Sequence, residues 1–280
     1  MAQERKPLDR RIIFLLVFIG VALPILIKVG LPIETTENVE LVYNLVENTP
    51  AGSHVLISFD YDPSTKPEIH PQATAVIKHA LLKKQKIICM ALWPMGVKMC
   101  EQIFATLEED GIKPVYGEDW VNVGYKSGGA ISLKALGKDF QKVFTQDTNG
   151  TLIDDIPAMQ GIRNLQDFQY VMSFSAGAPG IKEWVQVGHD MFKTPVSGGV
   201  TAVSAPSILP YVNEQQQLTG LLGGMKAAAE YEALIGIPGT ATQGMDAQSF
   251  AHLIIIILII IGNVNYFHNK KIKALQEAAK

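Results

Sequence analysis

Cysteine is almost absent: Cys89 and Cys100 alone occur in 280 residues, which leaves no disulfide framework and no cysteine-built zinc site. They fall in an apolar strand pattern and in the helix pattern after it, where two buried free thiols are expected. The glycine loops that grip phosphate are missing too. Neither Gly-x-Gly-x-x-Gly nor Gly-x-x-x-x-Gly-Lys-Ser/Thr occurs. No metal-ligand spacing stands out, His70 and His79 being too far apart to share a helical face. Basic clusters are lacking between the two chain ends, and the stretch at residues 32–249 is net acidic. Nucleic acid and anionic headgroups need clustered Lys and Arg, so neither is an expected partner of that stretch.

Two long apolar runs dominate what is there. The first covers residues 12–31, broken only by Pro24 and, near its far end, Lys28. The second covers residues 250–267 around an unbroken Ile/Leu core. At about 1.5 Å per residue each run reaches across a hydrocarbon layer about 30 Å thick, the second only barely. Arg5, Lys6, Arg10 and Arg11 precede the first; Lys270, Lys271, Lys273 and Lys280 follow the second. Basic flanks stay cytoplasmic. The expected layout is thus a cytoplasmic tail (1–11), a first membrane helix (12–31), an extracytoplasmic domain (32–249), a second membrane helix (250–267) and a cytoplasmic tail (268–280). A cleaved signal peptide is the alternative for the first run. Its apolar length exceeds the roughly 7–15 residues of a signal core, and no small-x-small site follows. A buried core helix is the alternative for the second, but an all-round apolar helix with Tyr266 and Phe267 at its end suits lipid better.

Between the runs, strand and helix patterns alternate about five times, and the strands are continuous apolar stretches such as His54 to Phe59. That pattern predicts a parallel sheet covered on both faces. The fold class is therefore α/β, a single doubly wound, mostly parallel sheet of Rossmann-like three-layer build between two transmembrane helices. A long last helix is expected from about Gln215 to Leu234. Gly220, Gly223 and Gly224 on it, with Ala227, Ala228 and Ala229, would make a smooth face for close backbone approach, and these glycines are candidate interface residues.

Asp60 and Asp62 stand at the carboxyl end of the first strand, where open α/β sheets bind ligands. Two carboxylates there can hold Mg²⁺ or divide into nucleophile and general acid. The run from Val55 to Asp62 resembles the first motif of the haloacid-dehalogenase-like phosphohydrolases, an apolar strand followed by Asp-x-Asp. The resemblance implies phosphoryl transfer with Mg²⁺, with Asp60 and Asp62 as catalytic candidates. It ends there: Pro63 replaces the usual glycine, and the strand at Lys86 to Leu92 lacks the family's hydroxyl residue.

Ser175 and Ser204, also at strand ends, are candidate nucleophiles without the Gly-x-Ser-x-Gly elbow. His54, His70, His79 and His189 are the available bases. The turns at residues 124–129 and 177–180 could cradle an anion on backbone N–H groups. Trp93, Lys126 and Ser175, with the two aspartates, are candidate ligand-binding residues. The favoured expectation is a non-catalytic module, an assembly, scaffold or ligand-sensing subunit of a membrane complex. It needs no cofactor, and its partners are the bilayer, further copies or other membrane subunits. The alternative is a membrane-anchored, Mg²⁺-dependent hydrolase.

Overall fold

A computed structural model describes residues 9–27 and 29–278. The flank residues Arg5, Lys6 and Lys280, and Lys28 in the first apolar run, lie outside the described residues. The chain divides into two units: residues 33–242, and the two end segments 1–32 and 243–280 together.

In the larger unit six strands form one parallel sheet: β1 His54–Asp60, β2 Lys86–Ala91, β3 Trp120–Tyr125, β4 Val171–Ser175, β5 Val196–Val200 and β6 Leu221–Gly223. Their order, β3-β2-β1-β4-β5-β6, is that of doubly wound Rossmann-like sheets, with the topological switch between β1 and β4. The apolar runs behave as a two-faced sheet requires. Val55, Ile57 and Phe59 of β1 enter one core with helices α2 (Glu37–Glu47), α3 (Lys66–Leu82), α4 (Gly96–Glu109) and α9 (Gly224–Leu234). Leu56 enters the other, with α5 (Ala130–Lys138), α6 (Phe140–Val143), α7 (Ile181–Trp184) and α8 (Ala205–Ile208). Alternate residues of a strand face opposite sides, so continuous apolarity is what burial on both faces demands.

Register decides what meets at the centre. Leu56 pairs with Val171, Ser58 with Ser173 and Asp60 with Ser175. Their shared period puts all four polar residues on the α5/α7 face, towards the carboxyl end of the sheet. Gly198 of β5 pairs with Ser173, and a Cβ there would lie 2.0 Å from the Ser173 carbonyl oxygen. Gly198→Ala is expected to lower the melting temperature of the full-length protein in mild detergent, by an overpacking cost of about 1–3 kcal/mol. An unchanged melting curve would show that β5 and β4 can part locally.

The expected final helix is corrected. Residues 221–223 form β6, and Gly224, with φ of +69°, turns the chain into α9. Gly220, Gly223 and Gly224 therefore share no helix face. A Cβ on Gly220 would meet Asn38, Leu41 and Val42 of α2, one on Gly223 would meet Ala205, and one on Gly224 would meet Ala202. Their small size serves close packing inside the unit itself, and the self-association face drawn from them is withdrawn. Cys89 and Cys100 are buried free thiols, and burial raises the Cys100 thiol well above its usual range.

The end segments contain α1 (Arg10–Ile27) and most of α10 (Thr240–Ala278), two helices long and apolar enough to cross a membrane. They touch within their unit: a Cβ on Gly20 would run into Ile254, so glycine here permits the contact. Asp246 of α10 accepts the N–H groups of Gly30 (2.7 Å) and Leu31 (3.0 Å), tying the chain after α1 to α10.

Candidate functional site

The structure does not bring Asp60 and Asp62 onto a common open face. Asp60 is fully buried. One of its oxygens accepts from Ser58 Oγ (2.7 Å) and the Leu92 N–H (2.8 Å), the other from Ser173 Oγ (2.9 Å). The carboxyl thus ties β1 to β4 and to the end of β2. Burial pushes its pKa up to about 7, while these hydrogen bonds pull it down. Asp62 faces the other way in function: its Oδ1 accepts the N–H and hydroxyl of Ser64, capping the turn into α3, and these bonds hold its carboxyl below the usual range. Among the described residues no three of His, Cys, Asp and Glu are grouped to hold a metal ion.

Lys126 is likewise engaged elsewhere, donating to the Val143 carbonyl (2.8 Å) above the Phe144 ring. Trp93 donates its indole N–H to the Pro179 carbonyl (2.8 Å) and lies beneath Gly177, so it braces the 177–180 turn. Gly129 abuts Pro179, which places the two glycine turns side by side.

That turn walls a cleft of about 180 Å³ at the carboxyl ends of β4 and β5. Ser175 and Ser204, separate in sequence, both line it, joined by Ser207, Lys182 and Glu183. Ile181, Val200 and Ile208 give it an aliphatic wall. It opens on the α5/α7 face just beyond the Ser58–Asp60–Ser173 cluster, beside the switch point where sheets of this order take ligands. Glu183 accepts the Gly180 N–H (2.7 Å), fixing the turn to the start of α7. No histidine lines the cleft. His70 bonds Tyr61 and is driven down to about 4 by burial; His79 bonds Tyr231 and Glu47; His189 bonds Asp190. The titratable side chains beside the two serines are Lys182 and Glu183, and neither is hydrogen-bonded to a serine hydroxyl among the described residues.

A wider groove of about 470 Å³ runs past Pro63, Pro67 and Pro71. Two of its polar side chains are occupied, Lys66 by Gln102 and His70 by Tyr61.

Lys182, Glu183 and Ser207 were not legible as site residues, since only the fold brings them to Ser175. The signal available was the repeated ending of both β4 and β5 in small and hydroxyl residues followed by a proline. No protein-family model matches the sequence, and no curated protein does.

Proposed function

We propose that the protein is a membrane-anchored α/β module that works by binding, as a ligand-sensing or scaffold subunit of a membrane complex, with both tails cytoplasmic and the sheet-containing unit on the opposite side. The observation that carries this reading is the outward apolar surface of the paired end helices. Phe14, Phe18 and Leu26 of α1 and Ile256, Ile259 and Ile260 of α10 are all more than half exposed. A surface of that kind is stable in lipid and costly in water. Arg10 and Arg11 at one end and Lys270, Lys271 and Lys273 at the other support a cytoplasmic side for both flanks. The binding half of the reading is supported by the serine-lined cleft and by the structural employment of both aspartates.

Impermeant-maleimide labelling of intact cells tests the layout, since Cys89 and Cys100 are buried and give little background. Asn149→Cys, on an exposed loop, is expected to react from outside, and Lys280→Cys only after permeabilisation. External labelling at position 280, or release of the protein by alkaline carbonate, would overturn the reading.

A further inference from the structure

Inside the cleft, several polar groups are already committed. Ser175 Oγ donates to the Gly177 carbonyl and Ser207 Oγ to the Ser204 carbonyl, each at 2.9 Å, so both keep only lone pairs. Thr201 Oγ1 donates to Ser204 Oγ (2.9 Å), which leaves the Ser204 proton free to donate. One Glu183 oxygen takes the Gly180 N–H, and the other takes nothing among the described residues. The Lys182 ammonium makes no ion pair or hydrogen bond among the described residues, and the N–H groups of Gly177 and Ala178 meet no acceptor there.

What remains is one positive and one negative charge on adjacent lining residues, donors and acceptors of both kinds, and an aliphatic wall. A simple anion would answer Lys182 and leave Glu183 facing it; a simple cation would do the reverse. Lys182 is exposed and Glu183 half-buried at the cleft wall, so a ligand carrying both signs of charge complements the two together. Size narrows the choice. About 180 Å³ is the share of about six water molecules in the liquid, at about 30 Å³ each. That is the room of a compact zwitterion with a short side chain.

Resting on the ligand-sensing reading above, we infer that the cleft binds a small aliphatic α-amino acid. Its carboxylate is met by Lys182, the Ser204 hydroxyl and the 177–178 backbone, its ammonium by Glu183 and the Ser175 lone pairs, and its side chain by Val200 and Ile208.

The test is calorimetry on the full-length protein in mild detergent, with L-alanine, L-valine, propionate and ethylamine as probes. L-alanine or L-valine is expected to bind at least tenfold more tightly than propionate, which lacks the ammonium, or ethylamine, which lacks the carboxylate. Lys182→Met removes an exposed charge and should weaken amino-acid binding by tenfold or more. Glu183→Gln keeps an acceptor for Gly180 and should weaken it while leaving the melting temperature near wild type. Propionate binding as well as alanine, or no amino-acid binding at millimolar concentrations, overturns the inference. A protein that labels with the layout above and yet binds none of these probes refutes the ligand class while leaving the anchored-module reading in place.

Discussion

Asp60→Ala is expected to be the most damaging single change in the sheet. It leaves two hydroxyls and one backbone N–H buried without their acceptor, at about 1–3 kcal/mol for each group that finds no other partner. If all three stay unpaired the loss is roughly 3–9 kcal/mol, a large share of the about 5–15 kcal/mol by which domains are usually stable. Asp60→Asn behaves differently, because an amide of the same shape can still accept from Ser58 and Leu92 and donate to Ser173 Oγ. It also removes the cost of ionisation in the interior. The carboxyl is pushed up to about 7 in the folded protein, above its ordinary 3.8, so the folded state holds a proton that the unfolded state has released between those values. Stability then falls as pH rises through that window, by roughly 4 kcal/mol in all, and levels off above about pH 7. Wild-type protein in detergent should melt at a lower temperature at about pH 8 than at about pH 5, and the Asn variant should lose most of that slope. The Mg²⁺-dependent hydrolase alternative makes the opposite demand on the same residue. It requires wild type to cleave a generic phosphate ester with Mg²⁺ and Asp60→Asn to abolish turnover at unchanged stability. An Asn variant with the wild-type pH slope and no phosphatase activity would end the structural account.

How much of this was legible in the sequence follows from what each element depends on. The strands at His54–Asp60 and Lys86–Ala91 were placed closely, because continuous apolar runs bounded by turn residues leave few alternatives. The strand at Leu221–Gly223 was missed because two leucines between glycines merge with the helical alanines after them. Only the positive φ of Gly224 separates the two, and a glycine does not announce its φ. The helix at Lys66–Leu82 starts earlier than its pattern suggested, with Pro67 in the first turn, where a missing N–H costs nothing, and Pro71 inside. Asp60 was legible as a strand-end carboxylate and illegible as a buried one. Its partners Ser58 and Ser173 are decided by the β1–β4 register, a long-range property that no local spacing records. The same holds for the cleft. Ser175 and Ser204 could be read as strand-end serines, but their meeting needs β4 and β5 to be neighbours.

Glu232→Ala is expected to free residues 239–242, at the start of α10 (Thr240–Ala278), from α9. Glu232 projects from α9, only 4% exposed, in a helix otherwise rich in alanine. Its carboxylate accepts the N–H groups of Gly239 (2.8 Å), Ala241 (3.1 Å) and Thr242 (2.8 Å), and the Thr242 hydroxyl (2.6 Å). The Ala241 and Thr242 N–H groups are first-turn donors that no helical carbonyl can satisfy, and a carboxylate is also the favoured charge at a helix start. Two residues earlier on α9, Glu230 accepts the N–H and hydroxyl of Thr36 (2.8 and 2.7 Å) at the start of α2. One helix therefore holds the chain where it enters the unit and where it leaves. Removing the Glu232 carboxylate strands four donors, with charge-assisted bonds each contributing about 1.5–3 kcal/mol; allowing for water reaching the freed backbone, the local loss is roughly 3–6 kcal/mol. Limited proteolysis and amide exchange on full-length protein should show residues 236–242 becoming cleavable and fast-exchanging, while the sheet strands keep their protection. Glu232→Gln, which retains an acceptor oxygen without the charge, should fall between the two. Glu232→Ala with wild-type protection at residues 236–242 would mean that α10 starts without this carboxylate.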